Sequence, residues 1–383
     1  MRVIKPLRNP GGLLFLAVLL TTAGEGRTEE KSDALPLSDW HYGVYLDLNY
    51  AANFNTAQPH TWRSKLTSNR LSTFSPDIGM IYLRKDATPD SRWGVELGGQ
   101  GGYDTGGQVP ITGQLGGAEI LQYVARANLS YLAPIGNGIK LVGGLFNSFI
   151  GYESMYAKDN LNYTRGWIAD YSPYFLIGGG AQYPVNDQID VGLYLVTDYN
   201  YLAYANSQPK YAWQSVWRVN PNLKFMQNAF VGPEQTQTAF QYWRGFLNTM
   251  VEWSESDYTL ALVYDVGTER NAQSTGQTQD LWMGSALFTR WNVSGPWTLA
   301  VRPELYWDPN GTMTGSIQFI KAITSTLEYK LMEGDMTGRV RLEYRYDNST
   351  GKQGGFYGAG GEHGPLVAGQ STVFCVLLLS LDH

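Results

Sequence analysis

Two segments near the C-terminal end of the chain repeat one arrangement of charge. Arg302-Pro303-Glu304-Leu305-Tyr306-Trp307-Asp308 and Arg341-Leu342-Glu343-Tyr344-Arg345-Tyr346-Asp347 put their charged residues on one parity and mostly apolar or aromatic residues on the other. Extended backbone turns successive side chains to opposite faces, so each segment reads as a strand with one charged face. The strand expected between them offers Thr324, Thr326 and Glu328 on its own polar parity. Arg or Lys facing lipid at mid-membrane costs ~2–4 kcal/mol, so in a membrane protein these faces must point inward. Arg302, Glu304, Glu328, Arg341, Glu343 and Arg345 are therefore expected to form a charge-paired patch on the inner wall, with Arg126 inward on an earlier strand. Such a patch does one of two things. It biases which ions pass, or it is a salt-bridge ladder that satisfies a wet wall. Asp47, Glu96 and Glu252 also fall on polar parities and read as plain lumen lining.

Other chemistry finds little support. A nucleophile–base pair needs a placed histidine, and the four histidines, His41, His60, His363 and His383, fall in no recognisable motif. The glycine-rich run Gly98–Gly107 is not followed by a helical pattern that could cradle phosphate. His/Cys clusters with metal-ligand spacing are absent from the sequence. With a single cysteine, Cys375, the chain has no disulfide framework. The expectation is no catalytic residue, no metal and no cofactor. At net charge −6, the chain also lacks the basic footprint of a nucleic-acid binder.

What positions these residues is a long series of alternating segments of roughly ten residues. Short gaps rich in Pro, Gly, Asn and Asp (86–91, 133–138, 184–188, 255–257, 294–296, 332–336) alternate with long ones (51–73, 103–118, 150–172, 199–244, 267–279, 308–316, 348–369). Short turns on one side and long loops on the other are the rhythm of an outer-membrane barrel. The expected fold is a single antiparallel transmembrane β-barrel with short periplasmic turns and long extracellular loops. It has fourteen strands, or sixteen if Tyr211–Val219 and Leu223–Phe230 are strands inside the longest gap. Only 16% of the residues are charged and 14% are aromatic, which suits a lipid-facing surface with interfacial aromatic belts. Trp297 and Trp307, ten residues apart on one face, are expected in the two belts. Pro303 between them should disturb the ladder, since it has no N–H to donate.

The first residues read as a secretory signal peptide. Arg2, Lys5 and Arg8 precede the apolar run Leu13–Leu20, and Thr21-Thr22-Ala23 supplies small residues for cleavage. The expected organisation is a signal peptide over 1–23, a periplasmic segment over 24–39 and a barrel over 40–383, exported to the outer membrane of a Gram-negative bacterium.

At Gly144-Leu-Phe-Asn-Ser-Phe-Ile-Gly-Tyr-Glu153 the sequence resembles the putative β-barrel porin family of the OmpL-like kind. The resemblance continues through Asn160, Asn162-Tyr163-Thr164-Arg165 and Pro173, into the late Arg-x-Glu segments and Gln370-Ser-Thr. It implies an outer-membrane porin, not an enzyme, through which small solutes or ions diffuse passively. It also implies that Gly151, Tyr152, Glu153, Asn160 and Asn162 lie in a loop that folds into the pore and narrows it. Partners implied are outer-membrane lipid, the passing solutes and the barrel-assembly machinery. Homo-oligomerisation is left open, and no nucleic acid is expected. The chain departs from the family in having Leu145 where a basic residue is usual, and in ending Leu381-Asp382-His383 rather than on an aromatic residue. The runner-up function is a barrel for adhesion or solute binding through its long aromatic loops, and an outer-membrane enzyme comes third.

Overall fold

The computed structural model describes residues 39–56, 60–107, 118–199, 206, 208–235, 238–270 and 279–383. The signal peptide expected at 1–23, and the segment 24–39 except Asp39, lie outside the described residues.

Among the described residues the alternating segments form sixteen strands: β1 (Trp40–Asn53), β2 (Phe74–Lys85), β3 (Trp93–Gly101), β4 (Val124–Ala133), β5 (Ile139–Asn147), β6 (Phe175–Pro184), β7 (Ile189–Val196), β8 (Lys210–Arg218), β9 (Leu223–Pro233), β10 (Trp243–Ser254), β11 (Tyr258–Arg270), β12 (Gln279–Ser294), β13 (Trp297–Asp308), β14 (Gln318–Met332), β15 (Met336–Thr350) and β16 (Gly369–Asp382). Each strand pairs antiparallel with its sequence neighbours, and β16 pairs with β1 to close the barrel. Closure removes every unpaired strand edge, the one way a sheet can sit in hydrocarbon with its backbone satisfied.

The strand count is the larger of the two expected. β8 and β9 occupy the gap that looked too long for one loop, joined by the turn 219–222. Their alternation is weak because neither face is chemically uniform. β8 turns Ala212 and Val216 inward beside Gln214, while β9 turns Gln227 outward. On the lipid side Gln227 is satisfied by a hydrogen bond from Thr249 at 3.0 Å, which removes most of the cost of a polar group there.

β13 follows the expected parity throughout. Trp297, Leu305 and Trp307 are exposed on the outer face, and Thr298, Arg302, Glu304, Tyr306 and Asp308 are buried inside. Two outer belts of aromatics follow. Trp93, Trp217, Trp253, Trp291 and Trp297 lie toward the short turns, and Tyr50, Phe74, Tyr211, Trp243 and Trp307 toward the long loops. Pro303 does disturb the sheet. The ladder between β12 and β13 lapses between the pairs Ala286–Glu304 and Thr289–Val301, without a change of register. The strand that carries Arg126 begins at Val124, after a short 3-10 turn over Ala118–Tyr123.

Candidate functional site

The loop over 148–174, between β5 and β6, carries all five residues expected to narrow the pore. It opens at Gly151, whose φ of +95° is left-handed backbone that suits glycine. Asn160 closes an internal turn: its side chain accepts from the Ser154 N–H and donates to the Ser154 carbonyl, both at 2.7 Å. A single helical turn, α1 (Trp167–Asp170), is wholly buried. A surface loop does not bury its backbone in this way; this one lies inside the barrel.

Its bed is the charged wall of β13, β14 and β15. Arg302 donates to Glu153 at 2.6 Å and to the Thr164 carbonyl at 2.7 Å. Arg341, paired with Glu328 at 2.6 Å, also donates to the carbonyls of Ala157, Asn160 and Asn162. Glu343 accepts from the N–H groups of Tyr163 and Thr164 at 2.6 and 2.9 Å. Glu304 accepts from the Trp167 N–H at 2.7 Å, and Arg345 joins Glu304 at 2.8 Å and the Arg165 carbonyl at 2.8 Å. Asn162 donates to Thr326 at 2.7 Å. Arginine forks and carboxylates thus satisfy backbone groups that a loop without sheet partners would leave bare in a buried place.

The six residues expected to line the pore therefore face inward, as their parity requires, but they do not border open lumen. Arg302, Glu343 and Arg345 are 0% exposed, and Glu304, Glu328 and Arg341 no more than 5%. The physical reason is the loop lying over them. Among the constriction residues, Glu153, Asn160 and Asn162 are buried in this bed, whereas the Gly151 N–H donates to Asn248 of β10 at 3.3 Å and Tyr152 packs on Phe288 of β12 at 4.7 Å.

Other participants carried no legible signal of their role. Lys65, from the loop after β1, pairs with Asp170, which also accepts from Thr67 at 2.7 Å. Gly166 lies between two carboxylates: its N–H donates to Glu153 at 2.6 Å, and a Cβ there would come within 2.8 Å of Glu304 Oε2. Arg165 pairs with Asp104 at 2.9 Å. Burial pushes the Asp104 carboxyl well above its ordinary range, with Asp77 adding to the rise and Arg165 opposing it. Burial likewise raises Glu153, against the pull of Arg302. Nearby, the Tyr163 hydroxyl lies 3.0 Å from Asp47 and 2.9 Å from Asp77.

On the opposite wall, toward the short turns, inward side chains reach water. A cavity of about 290 Å³ there is bordered by Arg84, Glu96, Arg126, Lys140, Phe149 and Tyr194, among others. A second, of about 280 Å³, shares Phe149 and is bordered by Tyr152, Glu153, Lys224 and Glu252. Arg126, the remaining expected pore residue, is half-buried and stands 3.6 Å from Glu96. Toward the long loops the inward side chains are buried on both sides of the barrel, including Tyr199, Phe230, Trp282 and Tyr306.

Comparison with known proteins agrees with this architecture. One family model, described as putative beta-barrel porin-2, OmpL-like, matches residues 40–377. No curated protein sequence matches the chain. Solved structures similar in fold include the outer membrane channel DcaP of Acinetobacter baumannii, with TM-score 0.56, 9% identity, and 90% of this chain and 96% of that one covered. OmpT, an outer membrane protein of Vibrio cholerae, gives 0.55 at 11% identity, covering 91% and 100%. OmpF of Salmonella typhi, solved in complex with daunomycin, gives 0.53 at 10% identity, covering 90% and 97%.

Proposed function

The chain belongs to this OmpL-like family of beta-barrel porins, and from that premise we propose that it lets small solutes or ions diffuse passively across the bacterial outer membrane, along the uncovered wall of its lumen. It is a porin-like barrel of the outer membrane. The observation that carries the reading is the asymmetric loop. By lying chiefly on β13–β15 it leaves cavities between itself and the other wall, with fixed charges of both signs (Glu96, Arg126, Lys140, Lys224, Glu252) beside them. Fixed charges beside a narrow aqueous path bias which ions pass. Arg302 and Arg341, under the loop, would act on permeation through the loop's position.

The test is single-channel conductance of the refolded mature barrel in a planar bilayer. Discrete, salt-dependent steps are expected. Neutralising Lys140 should shift the reversal potential toward cation preference, and neutralising Glu252 should shift it toward anions. Silence from a protein that has demonstrably inserted would overturn the reading. A second reading, a plugged barrel that binds or adheres through its loops, is favoured by the burial of Tyr199, Tyr306 and Trp282 toward the long-loop side. A silent but folded barrel would support it.

A further inference from the structure

The cavity beneath Phe149 combines two features that no part of the loop bed requires. The first is an aromatic layer. Tyr194 lies flat on the wall because its neighbours there are glycines; a Cβ on Gly180 would run into its ring, and one on Gly192 would come within 2.8 Å. Phe149 stacks on Tyr194 at 4.3 Å and 27°, and Phe146 tilts against it at 6.0 Å. Phe149 itself is only partly buried and continues the layer to the edge of the cavity.

The second feature is a surplus of positive charge, four cations against two carboxylates. Arg84 has Asp86 at 3.4 Å, and Arg126 has Glu96 at 3.6 Å. Glu96 is occupied on its other oxygen by Asn128 at 3.0 Å. Lys85, which also borders the cavity, donates to Ser91 and to the Trp93 carbonyl. Lys140 has no ion pair or hydrogen bond among the described residues, and the Arg126 Nε is a buried donor without an acceptor. Lys140 stands directly opposite Gln182, which donates to the Tyr194 hydroxyl at 2.6 Å. The cation and the aromatic layer are thus two strands apart, roughly 10 Å between backbones, a gap that a leaning lysine stem narrows.

We propose that this cavity is a binding site for a small aromatic monocarboxylate, its ring layered on Phe149 and its carboxylate held by Lys140 and Arg126. Of the two cations without a carboxylate partner, Lys85 is held by neutral acceptors and Lys140 by none among the described residues, and one such free ammonium suits a single carboxylate. The cavity, about 290 Å³, sits at the lower edge of ligand-pocket sizes, ~300–1,000 Å³, which favours one ring over a larger body. The inference rests on the pore reading for its physiological sense, since a weak site on the path would concentrate one class of solute.

The experiment is titration calorimetry on the whole refolded barrel in detergent, with benzoate, acetate and benzylamine as probes. Benzoate should bind at least tenfold tighter than either of the others. Lys140→Gln should weaken benzoate at least tenfold, and Phe149→Ala should bring benzoate down toward acetate. The same micelles in each titration cancel partitioning of the probe into detergent. Equal binding of benzylamine, or an unchanged Lys140→Gln variant, would overturn the charge assignment and with it the proposal. Equal binding of acetate would do so for the aromatic layer. A barrel that conducts without preferring benzoate refutes the site and leaves the pore; one that binds benzoate but never conducts supports the site and refutes the pore.

Discussion

The two walls of the lumen have similar raw material and opposite fates. On β13–β15, arginines and carboxylates are buried under the 148–174 loop and bond its backbone. On β3–β5, β9 and β10, Glu96, Arg126, Lys140, Lys224 and Glu252 border cavities. The lesson is that an inward charge in a barrel is not thereby a pore charge. A charge under a loop is a structural anchor with no water to fall back on, so losing one partner leaves the other stranded. A charge beside a cavity keeps its hydration and contributes little to stability.

The largest expected effect tests that contrast directly. Arg345→Met strands Glu304 and Asp347 and leaves the Arg165 carbonyl without its donor. It should destabilise the folded barrel by roughly 3–5 kcal/mol, read from urea midpoints, and should expose the loop to limited proteolysis. Lys224→Met, which breaks the half-exposed pair with Glu252, should cost under about 1 kcal/mol. Equal losses would erase the distinction between the walls.

A smaller effect is expected from a single methyl group. Gly166→Ala places a Cβ against Glu304 and Glu153 and should cost about 1–3 kcal/mol, as overpacking does. Gly101→Ala meets open space and should cost less, which the same urea series measures.

Acidity should act on the covered side. Glu153 in the loop and Asp104, which meets the loop at Arg165, hold their protons more tightly in the folded barrel than in water, chiefly through burial. A carboxyl with a raised folded pKa favours the folded form most when protonated. That contribution is complete below the ordinary carboxyl range, about pH 4, and fades as pH rises through the folded values. The docked loop should therefore tighten toward acid and loosen toward neutrality. Single-channel recording from about pH 7 down to about pH 4 should show shorter closures, as the loop is held more firmly off the open wall, with the change blunted in Asp104→Asn. A pH-independent record would remove the loop from the gating of the pore.

The smallest effect in energy sharpens the comparison most. Thr324→Val, under the loop beside Arg302, should leave ion selectivity where it was, whereas Lys140→Gln on the open wall should move the reversal potential. The reverse result would place the ion path along β13–β15.

Much of the barrel was legible in residue order. The parity of Arg302, Glu304 and Trp307 fixed which face each takes, because a strand has only two faces and lipid rejects charge. The rhythm of short and long gaps gave the strand direction and most of the turns. β8 and β9 were harder to read because Ala212, Val216 and Gln227 blur the alternation, and because a polar residue facing lipid is tolerable once a neighbour such as Thr249 satisfies it.

What residue order alone determined, then, was a closed sheet with charge inside and aromatics at its outer edges, since both follow from a two-residue period set against two solvents. What only the tertiary structure decided was which inward charges meet water. Glu153 and Arg302 are 149 residues apart in the chain, and nothing local to either announces the other. Their meeting depends on where the closed barrel's circumference puts β13 relative to β5, and on a loop with more bare backbone groups than a surface would leave it to bury.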